Sequence, residues 1–267
     1  FEYIYCKSHV SRYLILMYKK LKRKNFLVFK AFIVFTAIFL FGCFEEKLNA
    51  KQILEKSINA HGGKKKWEKV RSISYDKRTT FFNREGEIEK IKDETIKHNW
   101  NPSFTVITSI KGGKFVKAKK DYNGITLFEN DILQKNPKLL EQANKELDAA
   151  LYVFWQPYKL YDKNTLLKYI GNINLLDSIS VYAIEVSYLN QKSEDKWTYF
   201  FDVNNFLLRA SQVNHENRIS LIINENVEFK TGLFLNKRRK SYFLDSLGRI
   251  KYLRADYNYK INSLEVF

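Results

Sequence analysis

The chain has 267 residues, 45% hydrophobic and 16% aromatic, which is enough apolar material for one sizeable core and too little for a string of large domains. Its formal charge is +17, from 46 basic and 29 acidic side chains. Its cysteines are Cys6 and Cys43, and none follows Cys43, which excludes disulfides, thiolate metal sites and a cysteine nucleophile from the body of the chain.

Met17 is the only methionine, so residues 1–16 are expected to lie upstream of the true start. From Met17 onward the order is that of a secretory leader. Lys19, Lys20, Lys22, Arg23, Lys24 and Lys30 precede an uncharged apolar run over residues 31–41. That run is about half of the roughly 20 residues a spanning helix needs, which favours a cleaved signal over a permanent transmembrane anchor. It ends Leu40-Phe41-Gly42-Cys43, resembling a bacterial lipobox: an aliphatic residue, a small residue where the peptidase must admit the backbone, then the thiol that takes the lipid. Phe41 departs from the small residues commoner at its position. Residues 17–42 are therefore expected to be a lipoprotein signal peptide, Cys43 the lipidation site and residues 43–49 a tether.

Without residues 1–43 the chain keeps 38 basic against 28 acidic side chains, a net +10. Export excludes nucleic acid as the partner for that charge. Anionic lipid or lipopolysaccharide is the natural alternative, and a lysine-rich solvated surface accounts for the excess equally well. Glu45 and Glu46, close behind Cys43, resemble surface-export signals of some Gram-negative lineages. The expected location is the cell envelope, lipid-anchored at the outer membrane, on its periplasmic face or at the surface.

Ile53, Leu54 and Ile58 recur at helical spacing, predicting a helix over Ala50–Ala60 that His61-Gly62-Gly63 stops. His61 then stands where a helix C-terminus favours a cation, a structural position rather than a catalytic one. From Val70 the period changes to two. Ile73 and Tyr75, then Phe104, Val106 and Thr108, then Tyr182, Ile184, Val186 and Tyr188 alternate with polar neighbours, predicting half-buried antiparallel strands. Turn signals at Arg84-Glu85-Gly86, Gly112-Gly113, Asn123-Gly124, Asn204-Asn205 and Asp245-Ser246-Leu247-Gly248 divide them into hairpins. Trp197, Tyr199, Phe201 and Val203, then Leu221, Ile223, Val227 and Phe229, carry the alternation toward the C-terminus. Residues 137–160 break it, with Leu139, Leu140, Ala143, Leu147 and Leu151 at helical intervals behind a proline suited to a helix start. This helical insert ends in the aromatic run Tyr152-Val153-Phe154-Trp155-Gln156-Pro157-Tyr158, and a second short helix is expected over residues 163–170.

The lipobox, the helix ending Ala60-His61-Gly62-Gly63, Trp67 and the strand Ser72-Ile73-Ser74-Tyr75-Asp76 together resemble a group of Gram-negative envelope lipoproteins akin to the LolA and LolB lipoprotein-carrier superfamily. The resemblance covers most of residues 47–267 and rests on the order of elements. It implies a mainly β (α+β) fold over residues 50–267 as a single domain. In that fold a strongly curved antiparallel sheet forms an open half-barrel, with an N-terminal helix and a helical insert packed in its mouth. Phe154-Trp155-Gln156-Pro157-Tyr158 matches the place of the helical plug. Carriers of this kind bind acyl chains in an apolar cavity between half-barrel and helices, although a fold does not fix a function.

The chemistry of the residues points away from an enzyme. His61, His98 and His215 lie in separate contexts without HxxxH or HExxH spacing, and GxSxG, GxGxxG and GxxxxGK[ST] do not occur. No catalytic residue, metal site or cofactor is expected. The resemblance places a ligand cavity among Phe154, Trp155, Tyr158, Tyr199 and Phe201, each of which serves as well as ordinary core. Lys237-Arg238-Arg239-Lys240 reads as a contact for phosphate headgroups or as a solvated hairpin. The leading expectation is a monomeric membrane-anchored lipoprotein that binds a lipid or other lipophilic ligand for transport or sorting. The alternatives are a non-catalytic surface or periplasmic interaction protein with a filled core, and a hydrolase working through carboxylates.

Overall fold

The computed structural model describes residues 48–189, 195–215 and 218–267. The leader, Cys43 and the tether as far as Lys47 lie outside the described residues. α1 (Ala50–Ala60) opens with a reciprocal capping box, in which Asn49 Oδ1 accepts from the Gln52 amide at 3.0 Å and Gln52 Oε1 accepts from the Asn49 amide at 2.9 Å. It buries Ile53, Leu54, Ser57 and Ile58. His61-Gly62-Gly63 ends it for a packing reason: Gly62 has φ +113°, and a Cβ there would stand 2.8 Å from both the Gly232 carbonyl oxygen and Leu233 Cδ2. The Phe234 amide donates to the His61 carbonyl at 3.0 Å, so this motif docks the helix end on a distant loop. α2 (Lys64–Glu68), a single turn too short for periodicity to reveal, buries Trp67.

Among the described residues, thirteen strands form one sheet: β1 (Val70–Phe82), β2 (Ile88–Trp100), β3 (Ser103–Lys111), β4 (Lys114–Asp121), β5 (Gly124–Glu129), β6 (Ile132–Leu133), β7 (Thr165–Leu175), β8 (Ile179–Tyr188), β9 (Lys196–Asp202), β10 (Leu208–His215), β11 (Arg218–Glu228), β12 (Leu235–Leu244) and β13 (Ile250–Val266). The order is β6-β5-β4-β3-β2-β1-β13-β12-β11-β10-β9-β8-β7, every neighbouring pair is antiparallel, and β6 and β7 remain edges, so the sheet is curved but not closed. The chain walks outward from β1 to one edge, crosses to the other edge through α3 (Pro137–Phe154), and walks back until β13 pairs with β1. That crossing lays the helical insert over the inner face, which gives the open half-barrel architecture.

All five turns expected from glycine and asparagine chemistry fall between the strands they were predicted to separate. Three local expectations are corrected. Residues 163–170 are not helical but begin β7, because their backbone groups pair with β8 from Thr165↔Tyr188 onward; tertiary pairing overrides the helical spacing of Leu166, Leu167 and Ile170. The continuous insert helix ends at Phe154, and a 3-10 turn (Tyr158–Tyr161) follows Pro157. In β3 the buried phase is Thr105, Ile107 and Ser109, with Phe104, Val106 and Thr108 only half-buried on the other face. The strand carries apolar residues on both faces, and α3 covers the Ile107 face.

Among the described residues, two apolar cores line the inner face. One gathers Trp67, Ile73, Tyr75, Ile96, Ile107, Leu147, Phe154 and Trp155 around α3. The other packs α1, through Ile53, Leu54 and Ile58, on Ile184, Val186, Tyr199 and Phe201. Each fully buried side chain of this size contributes about 1.5–3 kcal/mol. Val181, Ala183, Phe200, Ala210 and Leu221 form a third cluster on the opposite face of the sheet.

Candidate ligand cavity

Between α3 and the inner face of the sheet lies a cavity of about 280 Å³. Alternation along the strands supplies its walls in pairs: Tyr75 and Lys77 from β1, Lys92 and Glu94 from β2, Tyr257 and Tyr259 from β13. Trp197, Ser211, Ile222 and Arg239 come singly from β9 to β12, and Ala149, Ala150, Val153 and Phe154 form the helical roof. Tyr75 joins wall to roof. Its ring stacks on Phe154 with centroids 4.1 Å apart, and its hydroxyl donates to the Ala150 carbonyl at 3.2 Å. Burial pushes the Tyr75 phenol well above its ordinary range, so it stays a neutral donor.

One wall is ionic. Glu94 is buried and takes Lys92 Nζ at 2.7 Å and Lys77 Nζ at 3.4 Å, while Glu146 of α3 takes Lys92 and Lys111, each at 3.0 Å. Burial acts to lower the Lys92 pKa, but the two carboxylates override it and hold the ammonium above its usual range. For Glu146, burial works upward and the lysines prevail, keeping the carboxyl below its usual range. The pairing of Glu146 with Lys92, which also pairs with Glu94, clamps α3 to the sheet.

At the far end Gln156 Nε2 donates to the Tyr199 hydroxyl at 3.0 Å, whereas Gln156 Oε1 is buried with no hydrogen-bond partner among the described residues. Tyr152, Tyr188 and Tyr199 cluster through their hydroxyls, and burial raises all three phenols. Arg239, also buried, donates from Nε to Asn224 Oδ1 at 2.9 Å.

Of the residues expected in a cavity, Phe154 lines it. Trp155 packs edge-on against Trp67 and Trp100, each with centroids 4.8 Å away, and Tyr158 stacks on Trp67 at 5.6 Å. Tyr199 and Phe201 belong to the α1 core. The alternation of β12 divides the basic run. Lys237 is exposed, Arg238 pairs with Asp256 at 2.6 Å, Lys240 pairs with Glu225 at 2.8 Å, and Arg239 alone points into the cavity. A run of four charges in a strand must send alternate side chains to opposite faces, and that was the signal available for Arg239. Tyr75, Trp197, Tyr257 and Tyr259 carried no local signal that distinguished them from core.

The histidines serve the fold. His61 is buried and donates from Nδ1 to the Ser57 carbonyl at 2.8 Å; burial outweighs that bond and lowers its pKa to about 4, so it is neutral rather than the helix-end cation expected. His98 meets Thr105 Oγ1 through Nδ1 at 2.8 Å, with its pKa likewise lowered to about 4 by burial and by the Lys159 charge. His215 pairs with Asp195.

Residues 29–219 match the model of a family of unknown function, DUF6503. None of the curated proteins matches the sequence. Among solved structures, a LolA superfamily protein from Nitrosomonas europaea superposes with a TM-score of 0.50 at 11% identity, covering 82% of this chain and 94% of that one. A DUF1329 family protein from Desulfovibrio piger gives a TM-score of 0.47 at 8% identity, over 81% of this chain and 92% of that one. The first of these likenesses shows the fold: a LolA-like open half-barrel.

Proposed function

The chain belongs to the DUF6503 family, and we propose that its half-barrel takes up a lipid or other lipophilic ligand in the cavity under α3. The observation that carries this reading is the cavity itself, about 280 Å³ walled by Tyr75, Phe154, Trp197, Tyr257 and Tyr259. Apolar pockets with a few fixed polar groups are the usual form of a small-molecule site. The leader and the Cys43 lipobox support an anchor that keeps this site at an envelope membrane, where acyl ligands are found. Loading and release there would serve transport or sorting without bond chemistry.

Photo-crosslinking tests the site. A diazirine fatty acid incubated with the protein is expected to label peptides carrying Phe154, Trp197 or Tyr257, and filling the cavity by Ala150→Trp is expected to abolish the label. Labelling confined to surface peptides, or unchanged by Ala150→Trp, contradicts the reading. The anchor has its own check: Cys43→Ser is expected to move the protein from the membrane to the soluble fraction.

A further inference from the structure

Arg239 is the cation of this cavity that no carboxylate answers among the described residues. Lys77 and Lys92 are paired with Glu94, and Lys92 also with Glu146, whereas among the described residues Arg239 hydrogen-bonds through Nε to Asn224. Asn224 is neutral, and its own Nδ2 is committed to the Leu208 carbonyl at 2.8 Å, which holds Oδ1 toward the arginine. Among the described residues Nη1 and Nη2 make no hydrogen bond or ion pair, and the residue is 4% exposed and lines the cavity.

A buried guanidinium without a counter-charge is expensive, and its N–H groups form a planar fork that fits two oxygens of a carboxylate or phosphate. The same space holds the mutually paired Lys92, Glu94 and Glu146, and apolar side chains cover much of the rest of its lining. Ile222, Trp197, Tyr259 and Phe154 line the same space. Cavity size adds a limit, since about 280 Å³ is at the lower edge of the roughly 300–1,000 Å³ of small-molecule pockets and suits part of one chain rather than several.

We propose that the ligand is a single-chain anionic amphiphile whose carboxylate or phosphate pairs with Arg239 inside the cavity while its chain lies along the aromatic wall. This deepens the lipid-binding reading and rests on it. The neutral partner at Asn224 has a defined part: it orients the guanidinium without neutralising it, so the charge is kept for the ligand.

The test is isothermal titration of the full chain with hexadecanoate, hexadecyl phosphate and methyl hexadecanoate, each below its critical micelle concentration, with inorganic phosphate and acetate alongside. The anionic chains are expected to bind roughly ten- to a hundredfold more tightly than the methyl ester, the usual worth of a charge-assisted hydrogen-bonded pair. Arg239→Met is expected to bring acid and ester within about threefold of each other. Asn224→Asp, which gives Arg239 a carboxylate of its own, is expected to remove the preference with the arginine still present, and it serves where Arg239→Met fails to fold. Equal binding of acid and ester by the unaltered chain, or a preference that survives both substitutions, overturns the inference and leaves the lipid reading standing. Binding of no chain at all overturns both. Inorganic phosphate binding as tightly as hexadecyl phosphate overturns the amphiphile and assigns Arg239 to a free anion.

Discussion

Acidification isolates the contribution of His61. In the folded chain its pKa is held near 4 by burial, against an ordinary 6.5. The unfolded chain therefore binds more protons than the folded one between those values, and stability must rise with pH across that window and be lost as pH falls through it. The loss is about 2 kcal/mol at pH 5 and approaches about 3 kcal/mol below pH 4. Urea denaturation at pH 7.5, 6 and 5 reads this directly. His61→Asn keeps a side-chain N–H for the Ser57 carbonyl but does not titrate, so its stability is expected to fall by about 2 kcal/mol less than the parent's between pH 7.5 and pH 5. His98, also lowered to about 4, remains in both proteins and cancels in the comparison. Parallel stability curves for parent and variant would refute the neutral, buried assignment of His61.

Trp155→Ala removes an indole that is 2% exposed and packed against Trp67, Trp100 and Phe154, and is expected to cost about 3–5 kcal/mol by urea denaturation. Lys92→Met deletes the bridge between Glu94 and Glu146 and is expected to cost about 3 kcal/mol, with hydrogen exchange rising first in α3, which that bridge ties to β2. Gly62→Ala forces a Cβ against the Gly232 carbonyl in a left-handed backbone, and a lowered melting temperature is expected; an unchanged one would remove the packing reason given for the His-Gly-Gly motif. Asn49→Ala breaks the capping box and is expected to cost about 1 kcal/mol, measurable as a shift in denaturation midpoint.

What was legible in the sequence was local. Gly112-Gly113 and Gly124 announce their hairpins because the backbone there has positive φ, and Ala50–Ala60 announces α1 through one apolar stripe ended by glycine. The half-barrel itself was legible through family resemblance. The inner phase of β3 was hidden because Phe104 and Val106 are as apolar as Ile107, and only the position of α3 decides which side is covered. The start of β7 was hidden because an edge strand satisfied on one side can carry a helix-like spacing. The cavity was the least legible. Phe154 was found through its aromatic run, but its neighbour Trp155 turns into the core, and Tyr75 and Tyr259 meet only because β1 and β13 pair at the centre of the sheet. Arg239 was within a noted motif, and strand geometry, which sorts charges by parity, separates it from its neighbours.

Native mass spectrometry of the Cys43→Ser chain, which lacks the lipid anchor and is purified from the soluble fraction without detergent, followed by organic extraction, tests the central claim most directly. The expected result is a near-stoichiometric adduct that extraction identifies as a single-chain lipid and that Ala150→Trp eliminates. A bare mass that stays unchanged after incubation with fatty acids and phospholipids would contradict the claim and leave the half-barrel as a filled scaffold for protein contacts.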